Sequence, residues 1–494
     1  MQSVQEVEKH VPVREGDYGE RVATVEPGGV EYISLKERHG KPIDLFWTWL
    51  SPNLEFATVY VGVLGIAVFG LSFWQTALAI VVGSALGSLT HWVLSSWGPK
   101  FGVPMMVESR GAFGFLGNIL PASLNAFTGT IGWFIVNSVS GAFALQALAL
   151  LINVNLPFAV TFLIIVVAQV AIATLGHNFI HVFERWALPL LGIVFALATI
   201  FIFTKANFGM GVNTKAPVFV GEFGSFTLLF TATFGYAAGW NPYAADYTRY
   251  QPPTANRTMV GFWAAMGVFV SCVVIELAGA ALATVAGTKW GPTDIPTVQL
   301  HVAMPDILYY LTLLCIAVGA VAANAINIYS GTMSLVAVGI REMGMTLRQR
   351  RALLAVAAGV LGYIIGIVGQ ANVGPGSKYE FFLLLISYWI GPWLAVVLTD
   401  YWLRKGDYGD ESIFYDAKYQ RWQGVAAMAI GLVVSVGLFA NNIVYTGPLV
   451  TANPGIGDIT FIVGFVLTAV LYYAFNMAGR TAPSRAGMAS SGTG

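Results

Sequence analysis

The chain has 494 residues, of which 56% are hydrophobic and only 10% charged, with a formal net charge of zero. Ordinary soluble domains carry about 25% charged residues, so a water-soluble globule cannot hide this much apolar surface, and no basic field points to nucleic acid. The two cysteines, Cys272 and Cys315, both lie in apolar runs, which excludes a disulfide framework and a four-cysteine metal site.

In chain order, residues 1–41 are polar and of mixed charge, with no short apolar core before a small-residue cleavage site, and read as a tail rather than a signal peptide. Twelve apolar runs follow, near 45–69, 74–96, 118–149, 157–176, 186–204, 225–245, 259–286, 306–337, 352–370, 380–400, 423–445 and 458–477. Each approaches the roughly 20 residues needed to cross hydrocarbon. With the N-terminus cytoplasmic, the inner loops hold thirteen Lys and Arg (Lys100, Arg110, Arg185, Arg249, Arg257, Arg341, Arg348, Arg350, Arg351, Arg404, Lys405, Lys418, Arg421) against four outside (Lys205, Lys215, Lys289, Lys378). That asymmetry places both termini in the cytoplasm of a multi-pass protein of the plasma or inner membrane. The charged, aromatic connection over residues 401–423 is expected to lie along the membrane surface, and residues 479–494, rich in Ser, Gly and Ala, to be disordered.

Two of the runs are interrupted. The first breaks at Ser51, Pro52 and Asn53, and the sixth, TATFGYAAGWNPYAADYTRY, at Gly235, Gly239 and Pro242. Gly costs about 1 kcal/mol and Pro about 3 kcal/mol in a helix interior, and broken backbone survives in a membrane only where protein buries it or water reaches it. Interrupted helices at corresponding places in two halves mark a transporter's binding site. The expected fold is therefore all-α and polytopic: a transporter domain over residues 42–478, with a five-helix repeat at 45–204, its inverted copy at 225–400, and two extra helices at 423–477.

Several residues could carry chemistry. Trp133 and Asn137 lie one turn apart in the third run, where an indole and an amide would stack a flat ring and read its edge, or would simply pack and join helices. Trp240 at the second break would add another flat face. Asn324 and Asn327 lie three apart in the eighth run and serve either a ligand or a neighbouring helix. Buried carboxyls in spans are functional candidates: Glu55 just beyond the first break and Glu276 in the seventh run. Asp246 and Arg249, after the second break, read as an ion pair or gate element at the inner end. His177, His181 and Glu184 fall on one side of a helix with metal-ligand spacing, although no second cluster completes a site and a polar inner loop between the fourth and fifth runs serves equally. No Gly-x4-Gly-Lys-[Ser/Thr] motif supports ATP-driven transport.

The pieces GLSFW (70–74), GPKFG (98–102), SRGAFGFLGN (109–118), GWFIVN (132–137), GWNPYAADYTRY (239–250) and DYWLRK (400–405) occur in an order and spacing that resembles nucleobase–cation symport family 1, in particular its purine–cytosine permease branch. The resemblance implies a LeuT-like fold with two helices appended, and uptake of nucleobases, hydantoins, allantoin or related vitamins with sodium or protons. It places substrate between Trp133 and Trp240, against Asn137 and Asn327, with Ser51, Glu55, Gly239 and Asn324 alongside. Sodium-coupled relatives use carbonyls of the first helix and adjacent hydroxyl side chains on the eighth. The matching positions here are Val321 and Ala322, which offer no oxygen to a hard cation. A proton is therefore the expected coupling ion, with Glu55, Glu184 and Glu276 as carriers and no resident metal or cofactor. The expected partners are the bilayer and a small planar heterocycle, with no obligate protein partner. Sodium-coupled transport of a hydantoin, allantoin or pyridoxine-like vitamin is the alternative, and a membrane-embedded metal enzyme built on His177, His181 and Glu184 is the rival from another class.

Overall fold

The computed structural model describes residues 8–14, 29–175, 177–287, 290, 295–338, 347–369, 378–409 and 411–481. The secondary structure is helical, with only isolated β-bridges among the described residues. The first span is split into α1 (Asp44–Leu50) and α2 (Phe56–Val63) by a tight turn at Ser51–Asn53, and the two parts are bent by 66°. Pro52 lacks the amide hydrogen a continuous helix would use. The carboxylate of Glu55 then restarts the helix by accepting from the Ala57 amide at 3.0 Å. After α3 (Phe73–Ser95), the third span runs through α4 (Ile119–Phe127), a wide turn at Thr128–Trp133 and α5 (Phe134–Leu151). The remaining helices are α6 (Phe158–Leu175), α7 (His177–Lys205), α8 (Glu222–Ala238), α9 (Ala244–Thr248), α10 (Arg257–Ala286), α11 (Asp306–Ala337), α12 (Leu347–Gly369), α13 (Lys378–Leu403), α14 (Trp422–Phe439) and α15 (Thr460–Thr481). Among the described residues eight helices are long and apolar enough to cross a membrane, nine if the bent first pair counts as one, and Phe158–Ile172 and Ala352–Val368 are shorter apolar helices.

α1, α2, α3, α8 and α10 pack together as one group, and α5, α6, α7 and α11 as another, with α12 against α6. Small residues let the backbones of the first group approach: a Cβ on Gly62 would fall 1.7 Å from the Glu276 carbonyl oxygen, and one on Gly279 1.7 Å from that of Val59. In hydrocarbon, where apolar side chains gain nothing by leaving lipid, such close approach is what holds helices together. α13, α14 and α15 pack beside the first group, with α13 against α8.

One expectation is corrected. Residues 177–185, expected as a polar loop, are the first turns of α7, which continues the helix beyond the apolar stretch and carries Pro189 within it. The connection after α13 folds back onto the protein: Phe414 is fully buried, the Arg110 guanidinium donates to its carbonyl at 2.9 Å, and Tyr419 donates to Gly111 O at 2.9 Å. Its aromatic rings find apolar partners in Phe101 and Tyr408, 5.5 and 5.6 Å from the Phe414 ring.

The same face is crossed by the N-terminal segment. Ile33 N donates to Gly102 O at 3.0 Å, His39 N to Tyr250 O at 2.6 Å, and Arg38 to Pro99 O at 2.9 Å, while Tyr415 donates to Val30 O at 2.8 Å. Arg14 pairs with Glu37 and donates to the Tyr250 hydroxyl at 3.1 Å. On the opposite face Tyr60 lies among Phe56, Trp290 and Tyr379, with ring centroids 5.9–6.2 Å apart, and the Tyr379 hydroxyl donates to Ala57 O at 3.0 Å.

Candidate functional site

The two helix breaks meet. The Trp240 indole donates to Asn53 Oδ1 at 2.9 Å, and Asn53 is itself held by donating to Trp49 O at 2.8 Å. The carbonyl of Asn53, at the break itself, accepts from Thr58 Oγ1 at 2.6 Å, so this backbone group is satisfied within the first span. Trp240 stands edge-on to Trp49 and Tyr243, at 5.6 and 6.1 Å. Ser51 is buried in the turn beside it.

Trp133 enters from the wide turn of the third span. Such turns add a residue to the helical repeat and recur at functional sites. Its ring meets Tyr236 and Phe382 edge-on, each at 5.2 Å, and a Cβ on Gly239 would fall 3.2 Å from its Cζ2. Gly239 thus lets the indole approach the backbone of the second break. Glu55 is fully buried; besides capping α2 it accepts from the Tyr236 hydroxyl at 3.4 Å, and Tyr236 also shares a hydrogen bond with Thr58. A Cβ on Gly319 of α11 would come within 2.4 Å of Leu54 O, so the first break also abuts the eighth run next to Val321 and Ala322.

The three asparagines form one network with distinct roles. Asn137 and Asn327 donate to Asn324 Oδ1 at 3.0 and 3.3 Å, and Asn324 donates to Phe134 O at 2.8 Å and Ser138 Oγ at 3.1 Å. Ser138 donates to Gln169 Oε1 at 2.8 Å, and Gln169 to Ala320 O at 3.2 Å, extending the network to α6. Asn324 has spent both N–H groups and accepts twice, so it orients the other two. The Oδ1 atoms of Asn137 and Asn327 are buried and accept from nothing among the described residues.

Of the other sequence candidates, Glu276 accepts from Ser84 at 3.4 Å on the face toward α3 and stands apart from the asparagine network. Asp246 accepts from Met105 N at 3.0 Å, and Arg249 donates to Gly29 O at 3.0 Å. The side chains of His177, His181 and Glu184 lie outside the described residues. Sequence reasoning missed Asn53 as a contact of Trp240, and Tyr236, Phe382, Ser138 and Gln169 altogether. Only Asn53, placed beside Pro52, carried a signal. An apolar groove of about 800 Å³ opens between α1, α7 and α10, lined by residues such as Trp47, Leu50, Pro189, Ile193 and Val274. None of its lining residues belongs to the aromatic–amide cluster.

Comparisons with known proteins agree with this architecture. A family described as permease for cytosine/purines, uracil, thiamine, allantoin matches residues 32–464. A Bacillus subtilis protein with a provisional purine-cytosine permease name is 28% identical over 456 residues, covering 91% of this chain and 95% of its own. A purine-cytosine permease of Emericella nidulans is 28% identical over 461 residues, covering 91% and 87%. Among solved structures, Mhp1, a nucleobase-cation-symport-1 family transporter closed around bromovinylhydantoin, superposes with a TM-score of 0.69 at 18% identity, covering 95% of this chain and 98% of its own. The fold is thus that of a LeuT-like membrane transporter, and its relatives are permeases, not enzymes. The family match over residues 32–464 makes this chain a multi-pass membrane protein of the cytosine/purine permease family, the purine–cytosine branch of nucleobase–cation symport family 1.

Proposed function

We propose that the protein is a secondary active importer of a nucleobase such as cytosine or a purine, bound between Trp133 and Trp240 and coupled to protons. The observation that carries this reading is the pair of buried amide oxygens on Asn137 and Asn327 that accept from nothing among the described residues, with Asn137 one turn beyond Trp133 in the third span. A planar heterocycle offers ring N–H or amino groups to those oxygens and a flat face to the indoles. An unmet buried acceptor costs about 1–3 kcal/mol, so a ligand that supplies the missing donors gains where one lacking them does not. The purine-cytosine permease names of the relatives support the same substrate class.

Transport proceeds by alternating access around the two broken helices, in a chain of twelve spans arranged as an inverted repeat, with the N-terminal face and both termini in the cytoplasm. Ser51, Gly239 and Asn324 shape the site, and Asn324 holds the reading amides. Glu55 is the leading proton carrier because it touches both the first break and Tyr236 of the sixth span, with Glu276 behind it and Glu184 third. Val321 and Ala322 offer a sodium ion no side-chain oxygen at those two positions of the eighth span. The test is thermal stability of purified protein against cytosine, uracil, adenine, guanine, hypoxanthine, allantoin, hydantoins and pyridoxine, each with and without sodium, followed by uptake into vesicles under an imposed pH gradient. Stabilisation by one nucleobase regardless of sodium, with acid-driven uptake, is expected. Stabilisation that requires sodium would overturn the coupling, and selective stabilisation by a hydantoin or pyridoxine would overturn the substrate.

A further inference from the structure

We propose that Glu108 is a proton-binding site of the N-terminal mouth, protonated while that mouth is closed and deprotonated as it opens. Glu108 ends a short helix, Met105–Glu108, in the connection between the second and third spans. Its side chain is buried, at 4% exposure, and neither carboxyl oxygen has a hydrogen-bond partner among the described residues. Taking an ionised carboxylate out of water with no compensating partner costs several kcal/mol, far more than burying the neutral acid.

The neighbouring charges reinforce this. The short helix packs against Arg110–Phe113, Asn241–Tyr243, α9 and α11. From α9, Asp246 accepts from the amide of Met105, the first residue of the same short helix, at 3.0 Å. Two carboxyl groups in one buried place resist being ionised together. The nearby cations are directed elsewhere: Arg110 donates to Phe414 O and Ala337 O, Lys100 to Gly406 O, Arg257 to Ser96 O and the Tyr401 hydroxyl, and Arg249 to Gly29 O and Glu31 O. Among the described residues none forms an ion pair with Glu108. Burial first, then Asp246, raise the Glu108 carboxyl well above the ordinary range, against smaller opposing pulls from Arg257, Arg249 and Lys100.

The sign of the effect follows. α9 belongs to the broken sixth span, and its departure would hydrate Glu108 and return it toward an ordinary carboxylate. The closed mouth therefore binds more protons than the open one. Closure is favoured in acid and weakens as pH rises through the raised value. This is a response to pH on the N-terminal side. It needs no substrate and differs from the proton that would travel with cargo past Glu55.

Hydrogen–deuterium exchange of the full-length protein in lipid nanodiscs, across a pH series and corrected for intrinsic exchange rates, tests it without any ligand. In the wild type, peptides covering 104–113 and 244–252 should lose protection as pH rises, and Glu108→Gln, a fixed neutral form, should keep it throughout. Wild-type protection independent of pH, or a Glu108→Gln profile that falls like the wild type, would overturn the proposal. If Glu108→Gln does not fold, Asp246→Asn decides instead: it keeps an acceptor for Met105 but removes the adjacent charge. The wild-type midpoint should then move to lower pH, and an unmoved midpoint counts against Glu108.

Discussion

Asn324 and its two neighbours look alike as letters and differ in what they can spare. Asn324 is saturated by four hydrogen bonds, whereas Asn137 and Asn327 each keep a buried oxygen in reserve. Replacing Asn324 with Ala strips partners from two other amides at once and should cost about 2–6 kcal/mol at ~1–3 kcal/mol per abandoned polar group, read as reduced protein in the membrane. Asn137→Ala or Asn327→Ala should leave abundance near wild type and weaken ligand binding about tenfold or more, a loss of ~1.4 kcal/mol. Equal loss of abundance in all three would make the network merely a helix clamp. For Trp240, substitution by Phe keeps a ring but loses the bond to Asn53; partial uptake is expected, against none for Trp240→Ala. The spacing of Trp133 and Asn137 was legible because a helix has a fixed period. The division of labour among the asparagines was not, because it rests on contacts between residues 187 apart in the chain.

At the level of the helix, the breaks were readable because Pro and Gly act locally: Pro52 and Pro242 each sit in the tight turn that splits a span. What lies across from each break was hidden. Gly62 and Gly279 read as two among 55 glycines, yet each faces a carbonyl that a methyl group would strike. Gly62→Ala or Gly279→Ala must push α2 away from α10, and such overpacking should cost about 1–3 kcal/mol or more. A lowered melting temperature, with a larger fall than for Gly192→Ala in α7, where a Cβ meets nothing within 4 Å, would show it. The end of α7 was misjudged because hydropathy reports where lipid stops, and a helix need not stop there.

Across the whole molecule, the transporter architecture was legible from composition, apolar runs and paired breaks, since these follow from what a bilayer tolerates. The covering of the N-terminal face was not, because residues 29–39 are polar, and polarity alone reads as a tail. Their backbone is instead matched to Gly102, Tyr250 and the Tyr415 hydroxyl. Deleting residues 1–40 should therefore lower the melting temperature and expose the 244–252 region to exchange, where removing a true tail would change neither.

That segment also carries a consequence for the order of manufacture. Residues 29–39 leave the ribosome ahead of their partners at Tyr250 and Tyr415, which are made hundreds of residues later. At about 5–20 residues per second, the beginning of the chain must wait tens of seconds for its seat, with Arg14 and Arg38, buried in the finished protein, still in water. Closing the N-terminal face is thus among the last acts of synthesis. A chain stopped before Tyr415 leaves the Val30 carbonyl without the hydroxyl that holds it.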